Sequence, residues 1–311
     1  MKNSDELNSR FGIASQVSFK QLPDGIVVAE IDNALATATI SFDGGHVVTW
    51  WPKHQSSPVL WVSKLAKFIP GKAIRGGVPI CWPWFGAHPT NKKLPGHGYA
   101  RISSWVVDSV RTLEGDATEV KLTLQETELS LAHWPHSVGL SATITVGGSL
   151  TIELTTTNNS DQEITLSEGL HTYFQISDIA NISVLGLDGC EYVDLISDNI
   201  RRKQVGAIKF DGELGRIYVN TKATCVIEDP QFNRRIRIEK SGSLNTAVWN
   251  PWDITASKMD DLGVNGWRDM VCVESANAVG NPVTLTSGES HSLVSIYSAE
   301  SISPTVASTT A

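Results

Sequence analysis

Apolar and β-branched residues recur at every second position in short runs along this chain, and no long window holds an apolar period of 3.6. The runs fall at residues 25–31 (GIVVAEI), 34–40 (ALATATI), 119–124 (EVKLTL), 140–146 (LSATITV), 150–157 (LTIELTTT), 163–166 (EITL), 182–187 (ISVLGL), 223–227 (ATCVI), 235–239 (RIRIE), 271–274 (VCVE) and 292–297 (SLVSIY). A period of two sends alternate side chains to opposite faces, which is the strand signature. Turn formers separate the runs at Asp43-Gly44-Gly45, Gly147-Gly148, Asp188-Gly189, Asp211-Gly212 and Ser241-Gly242. Many strands without interleaved helices predict an all-β fold, an antiparallel sandwich. Short helical turns are expected at 58–68 and 256–262. No fixed-period repeat or composition break divides the chain, so residues 1–300 read as one domain and 301–311 as a loose polar tail.

Composition narrows the partners. The 311 residues carry 25 basic and 33 acidic side chains, a net charge of −8, with no basic run longer than three. That argues against a nucleic-acid backbone as ligand, whereas a small anion needs only two or three local cations. Cys81, Cys190, Cys225 and Cys272 are widely spaced and form no CxxC pair, which fits reduced thiols in a cytoplasmic protein better than a zinc site or disulfide framework. The polar N-terminus shows no apolar signal core, and no run approaches the ~18 apolar residues of a membrane span.

Chemistry concentrates in three segments. Residues 74–101 pack Arg75, Trp82, Trp84, Phe85, His97 and Arg101 among glycines and prolines. Such punctuation breaks regular elements, so the segment reads as a binding surface: rings for a sugar's C–H face and arginine forks for an oxyanion. Trp249 and Trp252, in the Pro-broken WNPW, extend the aromatic platform. His171 ends a strand-like run beside Tyr173 and Phe174; taken alone, such a histidine is more often a hydrogen-bonded core residue than a catalyst. Glu274 shares its strand face with Met270 and Cys272, and a carboxylate among apolar neighbours is uncommon unless paired or functional. A carboxylate and an imidazole converging on one ligand can remove one proton and deliver another. The nucleophile elbow, Walker loop, HExxH and EF-hand patterns are absent.

The set RGGVPICWPWFG, LPGHGYAR, GLHTYF, WNPW and WRDMVCVESANA, in order over residues 75–278, resembles the hexose-6-phosphate mutarotases (glucose-6-phosphate 1-epimerases), a branch of the aldose 1-epimerase superfamily. The resemblance implies a galactose mutarotase-like β-supersandwich. It implies His171 and Glu274 as the catalytic pair, Arg75 and Arg101 as substrate-binding arginines, and His97 as a sugar-hydroxyl contact. Two positions depart from the family pattern. Gly96 stands where some relatives carry Gln, and Gly215 where relatives tend to carry an Asp that holds sugar hydroxyls; Glu213 or Asp211 are candidates to replace it.

The implied reaction interconverts the α and β anomers of an aldohexose. Glu274 as carboxylate takes the proton of the anomeric hydroxyl, His171 as imidazolium protonates the ring oxygen, and closure on the other face reverses both transfers. No cofactor or metal is called for, and a monomer acting on a small sugar phosphate is expected. Two alternatives stay open: a free-aldose 1-epimerase, and a non-catalytic sugar-phosphate binding protein.

Overall fold

The computed structural model describes residues 4–302, so the proposed tail from 303 on lies outside the described residues; Ser301 itself closes the strand Ser290–Ser301. Every run with period-two alternation forms a strand. Val138–Val146 and Ser149–Asn158 pair antiparallel through nine residue pairs from Val138↔Asn158 to Val146↔Leu150. Their burial alternates along the chain because one face meets the core and the other meets solvent. They belong to an eight-stranded sheet ordered Ser183–Leu185, Cys225–Asp229, Arg234–Ser241, Ser290–Ser301, Ser149–Asn158, Val138–Val146, Thr118–Leu124, Trp105–Thr112.

A second eight-stranded sheet carries the site. Its path runs Ile200–Lys203, Glu191–Asp194, Leu214–Tyr218, Asn245–Asn250, Met270–Asn277, Glu168–Leu170, Ile80–Cys81, and Tyr173–Gln175 also pairs with Met270–Asn277. Met270–Asn277 is buried at every residue, so both its faces are covered. Buried polar contacts tie the two large sheets together: Thr172 and Tyr297 share a hydroxyl hydrogen bond of 2.7 Å, and Trp82 donates from Nε1 to Thr156 Oγ1 at 3.1 Å. A four-stranded sheet, Val17–Gln21 to His46–Pro52, joins the same apolar cluster, and Trp50 donates to the Gly147 carbonyl at 3.1 Å.

The helix expectations need correction. Residues 58–62 are extended, held by the bridges Leu60↔Phe174 and Val62↔Gly76, and the turn within 58–68 is confined to 63–66, where the Ala66 amide donates to the Ser63 carbonyl at 3.0 Å. Backbone pairing with the sheet satisfies those amides, which a helical turn would have withdrawn from it. The second helix lies earlier than expected, at Trp252–Ala256, with turns over 257–262. Two α-helices were not anticipated, Ser4–Phe11 and Glu128–His133, the latter started by a reciprocal capping box of Thr127 and Ser130, nor were the short 3-10 helices Ala100–Ile102 and Gly266–Arg268.

A second carboxylate–imidazole pair bears on stability. Glu168 is fully buried, and its Oε1 lies 3.2 Å from His291 Nε2, which also donates to the Gly242 carbonyl at 2.9 Å. The hydrogen bond to Glu168 raises the pKa of His291, outweighing the opposing effect of its burial. A folded-state pKa raised above the unfolded one stabilises the fold fully at low pH, and the gain is lost as pH rises through the folded value. The unfolding midpoint of His291→Gln should therefore fall furthest below the parent's under about pH 6 and converge with it at alkaline pH, read by denaturant titration across pH. A difference that instead grew with pH would contradict the pairing.

Candidate active site

The sheet delivers its two reactive groups by register. Leu170 pairs with Ser275, and Ala247 with Glu274, so Glu274 points from the centre of the sheet. His171 leaves the strand Glu168–Leu170 with its amide on the Pro79 carbonyl at 3.0 Å. Its ring lies parallel to Tyr173, with centroids 4.9 Å apart, and meets the edges of His97 at 5.3 Å and Trp249 at 5.9 Å. His171 Nδ1 and Glu274 Oε1 stand 3.4 Å apart, longer than a formed hydrogen bond. Neither that Nδ1 nor Glu274 Oε2 has a hydrogen-bond partner among the described residues, although both atoms are buried.

Burial pushes the Glu274 carboxyl well above the usual carboxylate range, with Arg101 pulling the other way. Burial also holds His171 well below its ordinary value, reinforced by His97, Arg101 and Arg75. The imidazolium form that the reaction calls for at His171 is disfavoured by desolvation, with His97, Arg101 and Arg75 acting in the same direction. Both shifts favour the uncharged forms of the two groups.

Arg75 occupies a loop that only glycine can follow. Gly76, at φ 116°, lies against the backbone of Trp61 and Val62, where a Cβ would collide with both. Arg75 donates from Nε to Asp261 Oδ1 at 3.1 Å and from Nη1 to the Tyr173 hydroxyl at 2.9 Å. Asp261 is thus an internal carboxylate partner of Arg75, and the Tyr173 ring links the arginine to His171. Arg101 donates from Nη2 to the Gly96 carbonyl at 2.7 Å, while its buried Nε has no partner among the described residues. Because Gly96 acts through its carbonyl, any residue there can hold Arg101. Burial, then Arg101 and Arg75, lowers His97 to about 3. The Gly86 amide donates to His97 Nδ1 at 3.3 Å, so the neutral ring carries its proton on Nε2 and can donate to a hydroxyl.

A cavity of about 360 Å³ brings together Arg75, His97, Arg101, His171, Trp249 and Glu274, a volume in the range of small-ligand sites. Trp82 is not among its walls. It is 2 % exposed and packed edge-on against Tyr99 and Trp134, and Trp84 is buried with Nε1 on the Pro95 carbonyl at 2.8 Å. Phe85 is the aromatic of that segment that faces the cavity, over Gly169, where a Cβ would strike its ring. Trp249 closes the strand Asn245–Asn250 rather than riding a loop, and Trp252 begins the next helix against Trp267. Trp82→Ala should cost about 3–5 kcal/mol of stability as a cavity mutation while leaving substrate KM near the parent value, by denaturant melts and steady-state kinetics. A large KM effect at unchanged stability would return Trp82 to the substrate surface.

Gly215 does line the cavity, and an added Cβ would lie 3.3 Å from Ile196 Cδ1 and 3.6 Å from Leu195 Cβ. Neither proposed replacement reaches in: Asp211 and Glu213 are not wall residues, and Glu213 accepts from Thr255 Oγ1 at 2.6 Å. That wall is instead Leu195, Ile217 and the unanticipated Arg216, which donates to Gln204 at 3.1 Å. A second chamber of about 330 Å³ shares Arg75 and Arg101 with the first and adds Lys67, Lys72, Asp260 and Asp261. The two lysines are exposed loop residues, and their only sequence signal is closeness to the Arg-Gly-Gly turn.

This all-β architecture and its cleft define a sugar 1-epimerase. The family model described as aldose 1-epimerase matches residues 28–298, and the chain belongs to that family. It is 35 % identical over 265 residues to a Salmonella typhimurium protein named "Putative glucose-6-phosphate 1-epimerase", covering 84 % of this chain and 86 % of that one. A protein of the same name from Cenchrus ciliaris is 35 % identical over 261 residues, covering 81 % and 78 %. The solved structure of a "putative mutarotase" from Salmonella typhimurium superposes with a TM-score of 0.87 at 32 % identity, covering 94 % of this chain and 96 % of that chain. The fold is the galactose mutarotase-like one, and the protein is an isomerase.

Proposed function

We propose that the protein interconverts the α and β anomers of a hexose 6-phosphate, glucose 6-phosphate first, with His171 and Glu274 as the acid–base pair. One observation carries the reading: Arg75 and Arg101 wall both the cavity holding the pair and the adjoining basic chamber. A sugar ring over His171 and Glu274 can then extend its 6-phosphate toward two guanidinium groups, Lys67 and Lys72. Arginine forks match phosphate oxygens in a way a neutral hydroxyl does not require. On the wall of Leu195, Gly215, Arg216 and Ile217, Arg216 is the one polar side chain among the described residues, so the phosphate supplies much of the orientation. The names of the curated relatives support the same substrate.

The shared proton suits the cycle. Ring opening starts from Glu274 carboxylate and His171 imidazolium. Glu274 takes the proton of O1, His171 gives one to O5, and the pair is left as neutral acid and neutral imidazole beside the open aldehyde. Burial, which disfavours charge on both groups, favours that uncharged state. After rotation about C1–C2, closure on the other face returns both protons. His97, neutral with Nε2–H, steadies a hydroxyl, and Trp249 flanks the ring. Four free cysteines support a reducing cytoplasm.

Polarimetry on freshly dissolved α-glucose 6-phosphate tests this. The decay to equilibrium should shorten in proportion to protein, and by far less for free glucose. Equal acceleration of both sugars would favour a free-aldose epimerase. Binding without acceleration would favour a sugar-phosphate binding protein.

A further inference from the structure

Behind the acid–base pair lies a thiol that this chemistry does not use. Cys272 and Glu274 are two residues apart on one strand, so their side chains leave the same face. The ligand atoms of His171, Cys272 and Glu274 all lie within 4.8 Å of one another, and all three residues are buried. Two nitrogen or oxygen ligands about 2.05 Å from a tetrahedral ion stand about 3.3 Å apart. His171 Nδ1 and Glu274 Oε1 are already 3.4 Å apart. A thiolate at a zinc–sulfur distance belongs about 3.6 Å from each, a shift of about 1 Å from the widest separation here. The buried, unpartnered Nδ1 and Oε2 supply an independent sign of unused ligating capacity.

We propose that His171, Cys272 and Glu274 form a site for a thiophilic divalent cation, zinc or cadmium, whose binding silences turnover. One thiolate and one carboxylate offset the two charges of the ion, so the occupied site is neutral in a setting where an unbalanced charge is costly. The thiol and carboxyl protons leave to solvent as the metal bonds form. His171 and Glu274 also wall the sugar cavity, so the fourth ligand position opens toward it for water. Arg75 and Arg101 disfavour any cation there, which selects ions that bond strongly to sulfur and imidazole. Magnesium and calcium prefer full oxygen shells and gain nothing from the thiol.

The experiment uses the full chain with chelator removed. Cadmium alone, titrated without sugar, should raise an ultraviolet thiolate-to-metal band that saturates at one ion per chain. His171→Ala should lose the band, which separates the site from the other thiols. Zinc should inhibit anomer exchange reversibly by chelator, magnesium should not, and Cys272→Ser should keep turnover while raising the half-inhibitory zinc concentration at least about tenfold, the least that loss of even an outer partner of a ligand costs. No saturable band, a band undiminished in His171→Ala, or equal zinc sensitivity in Cys272→Ser would overturn the proposal. The spectroscopic arm needs no substrate, so its failure is distinct from a failure of the mutarotase reading.

Discussion

Glu274→Gln and His171→Ala should each lower the rate of catalysed anomer exchange by about 10²–10⁴-fold, the contribution of one positioned acid–base group. The amide keeps the shape of the carboxyl and cannot carry the O1 proton. The alanine leaves O5 without a donor. Each protein should still fold: Glu274 Oε2 has no hydrogen-bond partner among the described residues that glutamine would forfeit, and His171 borders a cavity that water can fill. Because the two groups exchange roles within one turnover, the double variant should be little worse than either single one. Exchange rates by NMR, with circular dichroism melts as control, decide this. Parent-like exchange in either single variant would remove that residue from the mechanism, and losses that multiply in the double variant would mean independent action.

The second large effect concerns charge. Arg75→Gln and Arg101→Gln should each raise KM for glucose 6-phosphate by about 10–100-fold, in line with about 1.5–3 kcal/mol for a hydrogen bond to a charged group, and change kcat/KM for free glucose far less. The two are not equivalent. Arg75 is braced by Asp261 and Tyr173, so its loss also frees the ring stacked on His171, and kcat should drop as well. Among the described residues Arg101 has the Gly96 carbonyl as the one partner of its terminal nitrogens and none for Nε, so its loss should fall mainly on KM. Equal losses on phosphorylated and free sugar at both positions would make these arginines structural.

Much of the architecture was readable before any coordinates. Strands with one solvated face, such as Val138–Val146 and Ser149–Asn158, alternate in sequence because they alternate in burial. Asn245–Asn250 was not readable, since residues on both faces are buried and no period survives. Ile200–Lys203 was missed for the opposite reason: all four residues are exposed at the sheet edge. The family motifs identified Arg75, His97, Arg101, His171 and Glu274, and the structure brings all five to one cavity. They did not show which way each ring in the Pro-broken segment turns. Trp82 turns inward to Thr156 and Phe85 turns toward the cavity, and that choice depends on Gly169 and on the opposite sheet, far away in sequence. Lys67 and Lys72 join the basic chamber through loop geometry that no local pattern encodes.

The most direct test is a crystal structure of Glu274→Gln soaked with glucose 6-phosphate. The arrangement above predicts O1 and O5 of the sugar between Gln at 274 and His171, the ring beside Trp249, and the phosphate between Arg75 and Arg101 facing Lys67 and Lys72. A sugar phosphate bound with its anomeric centre away from His171, or with its phosphate out of reach of both arginines, would contradict it.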